Sequence, residues 1–262
     1  MRGFFDAFIQ QCILMSNPLL FFGKGNRKLN LNTHAITSTF SLPAGWCCPG
    51  ANICLAKADR QTGKITKGSD CQVLCFASSD EARYPSVRNS RWNNFELIKS
   101  CDEESLVSLI HKSIDFHVPR SATHIRWHVS GDFFSPVYLK AVLKACTRYT
   151  DDMIVYAYSK ALHFFYDQNT GEPLVDIPNN FRLCASWGGL YDFMIERFPH
   201  VFTRSARIVH SREEAARLGL QIDEDDSLAS GPIDSHFALL ENKAKRKEKR
   251  EAATREAATH ES

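Results

Sequence analysis

Five cysteines lie close together: Cys47, Cys48 and Cys54 around the Pro49–Gly50 turn of "LPAGWCCPGANICLAKADR", then Cys71 and Cys75 in "DCQVLCFA". Five residues separate Cys48 from Cys54 and three separate Cys71 from Cys75. A close pair, a loop and a second close pair is the general plan of a four-thiolate metal site. Zinc would take all four thiolates and close the site, whereas an iron–sulfur cluster held by three keeps one iron open to a ligand. The Pro-Gly turn adds backbone N–H groups that can hydrogen-bond to metal-bound sulfur. The competing reading is of small buried residues that happen to be neighbours; Cys12, Cys101, Cys146 and Cys184 fall under it. Nine cysteines, an odd number in a chain of 262 residues, favour reduced thiols over a disulfide framework.

A second set of candidates lies in strands that should be apolar. Parallel strands are covered on both faces and usually read as continuous hydrophobic runs. Here "RWHVSGD" separates Arg126, His128, Ser130 and Asp132 from Trp127, Val129 and Gly131 by its period of two. "MIVYAYSK" puts Tyr156, Tyr158 and Lys160 on one side, and "FRLCASWGG" does the same for Arg182, Cys184 and Ser186, with Gly188 just beyond. Pointing into a barrel or crevice, Asp132 would act as base or hydrogen-bond acceptor, Lys160 would meet a carboxylate or phosphate, and "WGG" would let a ligand approach the backbone. The alternative for each residue alone is a satisfied core group.

The elements that must position these groups follow from pattern. "AITSTFSL" reads as a strand running into the cysteine loop. Two helices are expected from Asp80 to Ser100 and over "DEESLVSLIHKSIDFH". Then strands near 124–130, in "DMIVYAYSK", in "NFRLCASWGG" and in "HVFTRSARIVH" alternate with helices, including one capped by Ser135 with Pro136 at its first position and one capped by Ser211 and ended near Gly219. "ALHFFYDQ" is expected as a short helix. The alternation predicts an α/β fold with parallel strands, a partial or complete (β/α) barrel carrying an N-terminal Cys-rich loop. Residues 1–22 form an N-terminal segment, 23–240 one α/β domain and 241–262 a charged tail, disordered or helical. "IDEDDSLASG" is expected to be a solvated acidic turn, since it lacks the glycine and distal glutamate of a calcium loop.

A net charge of +2 does not mark a nucleic-acid-binding protein. No apolar run approaches the ~18 residues of a membrane span, so no membrane partner and a cytoplasmic location are expected.

Beyond composition, "FSLPAGWCCPGANICLAKADR", "CFASSDEARYPSVRNSRWNNFELI", "HVSGDFFSPVYL", "YAYSKAL", "IPNNFRLCASWGG" and "IDEDDS" together resemble the bacteriophage family catalogued as gene product 88, in order from about Gly23 to Leu240. The order of parts is also distantly similar to the phage gene product 37/68 proteins and, through them, to radical S-adenosylmethionine barrels. That resemblance implies a [4Fe–4S] cluster on Cys48, Cys54 and Cys75 with one open iron, S-adenosylmethionine as a candidate co-substrate, and a host-cell cytoplasmic location. Cys47 and Cys71 depart from the pattern, and the three-and-two cysteine spacing usual in radical enzymes is absent.

Two functions compete. One is an iron–sulfur enzyme acting on a small-molecule or nucleotide substrate held by Ser130, Asp132, Lys160 and Ser186. The other is a zinc-stabilised module, without catalysis, that binds nucleic acid or protein; Arg83, Arg88, Arg91 and Trp92 of "EARYPSVRNSRWNNF" would face phosphates and bases. No nucleophile elbow, P-loop or dinucleotide fingerprint supports a third class.

Overall fold

The computed structural model describes residues 18–52, 54–66, 75–149 and 153–241. The N-terminal 17 residues, Cys71 and the tail beyond Glu241 lie outside them, and with them Cys12.

The framework is one mostly parallel sheet. Its strands are β1 (Gly23–Lys24), β2 (Thr37–Ser41), β5 (His124–Ser130), β6 (Ile154–Ser159), β7 (Phe181–Ser186), β8 (Ser205–Val209), β9 (Gln221–Ile222) and β10 (His236–Leu240). They stand in the order β1-β2-β5-β6-β7-β8-β10-β9, with only β1 antiparallel to its neighbour. From β2 to β8 the order advances in one direction, without the reversal that defines a doubly wound sheet. A short antiparallel hairpin, β3 (Lys57–Ala58) and β4 (Ile65–Thr66), stands apart and carries the end of the cysteine loop.

The helices form where the sequence supplies caps. In α3 (Glu103–His117), Asp102 accepts the Ser105 N–H at 2.8 Å, Glu103 and Glu104 face the positive helix end, and Leu106, Ile110, Ser113 and Ile114 form the buried stripe. In α4 (Pro136–Cys146), Ser135 accepts the Tyr138 N–H and Pro136 occupies the first turn. These helices pack on Ile125, Trp127, Val155, Ala157 and Phe181, the outer face of the sheet. Ser211 caps α6 (Arg212–Arg217), whose Ala215 packs on Val209, Ala238 and Leu240. On the inner face, Tyr156, Cys184, Ala206 and Phe237 close on Ala229 of α7 (Ser227–Ser230). The remaining helix of this half, α5 (Asp192–Arg197), follows β7.

Two expectations need correction. The single helix expected from Asp80 is two, α1 (Phe76–Arg83) and α2 (Pro85–Lys99), because the residue before a proline is pushed out of the helical region: Tyr84 has φ −120° and ψ 100°. The segment after β6 forms only a 3₁₀ turn over Leu162–Phe164 and then doubles back through a Tyr166–Pro173 bridge. Among the described residues, no helix is long and apolar enough to cross a membrane.

Candidate functional site

The stretch that carries Cys47, Gly50 and Ala51 lies across the carboxyl ends of β5, β6 and β7. Gly50 makes this docking possible: a Cβ there would sit 2.1 Å from the Lys160 carbonyl oxygen. Its own carbonyl accepts the Leu190 N–H at 2.9 Å, and Ala51 bridges Gly189. From the other side the Asp132 N–H donates to the Cys47 carbonyl at 2.7 Å. This contact requires Gly131 at φ +80°, where a Cβ would meet Leu42 at 2.6 Å.

Cys54 and Cys75 are hydrogen-bonded to each other, and Cys48 lies close enough to Cys75 for their charges to interact. The Gly45 N–H donates to Cys48 Sγ at 3.3 Å. The Cys54 thiol hydrogen-bonds to Cys75, which with the Ser78 N–H and hydroxyl outweighs burial and brings the Cys75 thiol down to about 6. Burial pushes Cys48 up to about 12, with Asp132 and Cys75 adding to it and Lys160 opposing. Cys47 is buried and pushed up in the same way, with Cys48, Glu81 and Asp132 adding to it. The seven cysteines among the described residues are thiols, none of them in a disulfide. Among those residues, no group of three or more His, Cys, Asp or Glu side chains is arranged as a metal-binding shell.

Beside the thiols, Asp132 is buried and raised by burial. Its Oδ1 accepts the Phe133 N–H at 2.8 Å and the Ser159 hydroxyl at 2.7 Å, and its Oδ2 accepts the Lys160 N–H at 2.8 Å. It therefore clips the end of β5 to the end of β6. Lys160 Nζ reaches across to Ser186 Oγ at 2.6 Å and the Trp187 carbonyl at 2.9 Å. The Gly188 N–H is held by Asp192 at 2.8 Å, so it is not offered to a ligand. Ser130 donates to Glu81 Oε1 at 3.3 Å.

Glu81 is a residue that pattern reading missed. It is fully buried, its Oε1 accepts from the Ala44 N–H and from Arg91 at 2.8 Å each, and its Oε2 has no partner. Placing the helix start at Asp80 rather than Phe76 hid it, because the buried side of the first turn cannot be drawn from the wrong origin.

The other predicted residues divide. His128 leaves the polar face: its φ of +65° and a register shift between Thr39 and Ser41 in the β2–β5 ladder break the alternation. Its Nε2 meets the Tyr138 hydroxyl at 2.9 Å, beside the Trp127 indole N–H that donates to the same oxygen at 2.8 Å. Burial lowers His128 to about 3, so it is a neutral core residue. Arg126 and Tyr158 do face inward, but toward Asp226 rather than the thiols.

The acidic segment is the larger correction. Asp226 is buried, not a solvated turn residue. It accepts from Lys28 at 2.5 Å, Arg126 at 2.8 Å, and the hydroxyls of Tyr156 and Tyr158 at 3.1 Å each. Burial alone would raise its carboxyl; the Arg126 and Lys28 cations win and hold it at about 2. One carboxylate thereby joins the segment between β1 and β2, the middle of the sheet, and the turn before α7.

Arg88 and Arg91 are also buried rather than facing a polyanion. Arg88 is bonded to the carbonyls of Arg60, Gln61 and Glu81, and Arg91 to the Ala77 carbonyl and Glu81. Trp92 is buried with them.

Neither a curated protein nor a solved structure matches this chain. A family model described as Gene product 88 matches residues 19–259, nearly the whole chain and all the elements that build the site, and the protein belongs to the Gene product 88 family.

Proposed function

We propose that Cys48, Cys54 and Cys75 hold an iron–sulfur cluster, and that the polar groups on the neighbouring strand ends hold a small co-substrate against it, with S-adenosylmethionine the favoured candidate. What supports this reading is that Cys75, remote in sequence, pairs with Cys54 and lies within electrostatic reach of Cys48 near the carboxyl ends of parallel strands, the usual position of α/β active sites. The donor chemistry supports it: three soft sulfurs, the Cys75 thiol lowered by its Cys54 partner, and a backbone N–H on Cys48 of the kind that supports metal-bound sulfur. The Cys48 thiol, neutral when buried alone, would lose its proton on coordination. When bound, a cluster with an open iron supplies one-electron chemistry.

The chain's own residues supply the rest. Lys160 and Ser186 present a cation and a hydroxyl beside the thiols, suited to a carboxylate. Asp132 and Ser159 fix the strand ends that carry them. The one-directional strand order and the Asp226 junction across the inner face support a sheet curled into a partial barrel around the site.

The test is anaerobic reconstitution of single Cys→Ser variants, followed by equilibrium binding of S-adenosylmethionine. Cys48→Ser, Cys54→Ser and Cys75→Ser should each lose the cluster, whereas Cys47→Ser should keep it. Cys71→Ser decides between a three-thiolate site, which it would leave intact, and a closed four-thiolate zinc site, which it would destroy. Retention of a full cluster by any of the first three variants would contradict the assignment.

A further inference from the structure

A half-exposed tryptophan stands beside Cys47. Trp46, immediately before Cys47, is 49% exposed. Its ring is nevertheless fixed: the indole N–H donates to the Ala58 carbonyl at 3.2 Å, and Trp92 packs against it at 5.6 Å between centroids. Lys57 Nζ lies 4.8 Å from the centre of the Trp46 ring, and the Arg60 guanidinium lies 5.0 Å from that of Trp92. Lys64 is exposed on the same hairpin. Lys57, Arg60, Lys64 and Lys99 face two carboxylates, Glu96, which pairs with Arg60 and Lys99, and Asp59, which is held in its own turn, so the patch keeps a net positive charge.

We propose that Trp46, Lys57, Arg60 and Lys64 form a stacking platform for a single-stranded nucleic acid. The half-exposed indole is held in place, and the Lys57 ammonium over its ring sits on a flexible stem that can swing to a phosphate and leave the face to a base. Rigidity matters because no rotamer freedom is lost when the base arrives. This surface replaces Arg88 and Arg91, whose guanidiniums are spent on backbone carbonyls and Glu81. It stands independently of what the thiols hold.

The measurement is fluorescence anisotropy of labelled oligothymidine and oligouridine of about 12 nucleotides, with full-length protein, metal-free and reconstituted. Binding is expected in both forms, with a log–log salt slope of about −2, the value for about three phosphate contacts on a single strand. Trp46→Ala should weaken it by about 10-fold or more, and Trp46→Phe by no more than about threefold, since a smaller ring still stacks. Lys57→Glu with Lys64→Glu should weaken it and flatten the slope. Absence of binding to both oligomers near 50 mM salt (about the low end of the usual range) would overturn the proposal and assign the surface to a protein partner. Equal affinity for a duplex, or equal affinity of Trp46→Ala and the parent, would overturn it as well. Circular dichroism of Trp46→Ala, read beside Trp46→Phe, which keeps an aromatic ring but not the N–H bond to Ala58, separates lost binding from lost fold.

Discussion

Asp226 and His128 show how differently two buried polar residues can be used. Removing the Asp226 carboxylate leaves Arg126 and Lys28 beside an empty site, with the Arg126 side chain only 16% exposed. Asp226→Ala should therefore cost about 3–5 kcal/mol in urea unfolding; a loss below about 1 kcal/mol would show that the network carries little. The pH dependence has two windows. His128, about 3 when folded against roughly 6.5 unfolded, adds stability above pH 6.5 that is lost as pH falls toward 3, by up to about 1.4 kcal/mol per unit. Asp226, about 2 when folded against 3.8 unfolded, adds stability above about pH 4 that is lost as pH falls toward 2. Asparagine tolerates the left-handed backbone at position 128, so His128→Asn should flatten the upper window and leave the lower one. An unchanged slope between pH 6.5 and 4 would contradict the neutral buried imidazole.

At the scale of elements, the site depends on how closely the cysteine loop meets the sheet. Gly50→Ala forces a Cβ onto the Lys160 carbonyl, so the loop must lift. The expected outcome is loss of metal retention on reconstitution with little change in overall helix and strand content; a variant that binds metal like the parent would mean that docking is not needed. The strands and capped helices of the central region were legible in the sequence because their signals are local: alternation, Ser135 and Ser211 caps, and proline at a first turn. Legibility ended where tertiary contacts overrode the local pattern. Alternation assigned His128 to the wrong face because a bulge and a left-handed residue are invisible to a period of two. The acidic run looked solvated because its partners Lys28, Arg126 and Tyr156 come from the far side of the sequence. Two-residue strands such as β1 and β9 carry too few residues to show a period at all.

For the whole molecule, the fold divides labour between the two faces and one end of a single sheet. The outer face packs on α3 and α4, the inner face is tied by Asp226, and the carboxyl end of β5 to β7 brings Asp132, Lys160 and Ser186 together near Cys48. Cys75, brought to about 6 by the Cys54 thiol, gives the metal-free protein a measurable signature. Its alkylation should be half-maximal well below pH 8 and shift upward in Cys54→Ala; identical profiles would separate the two thiols. The most direct measurement is metal and sulfide analysis of anaerobically reconstituted protein together with its absorption spectrum. The thiol site is expected to carry about four irons per chain with matching sulfide and broad absorbance near roughly 400 nm, as thiolate-bound iron gives. Colourless protein carrying stoichiometric zinc, or no metal, would contradict an iron–sulfur site at Cys48, Cys54 and Cys75.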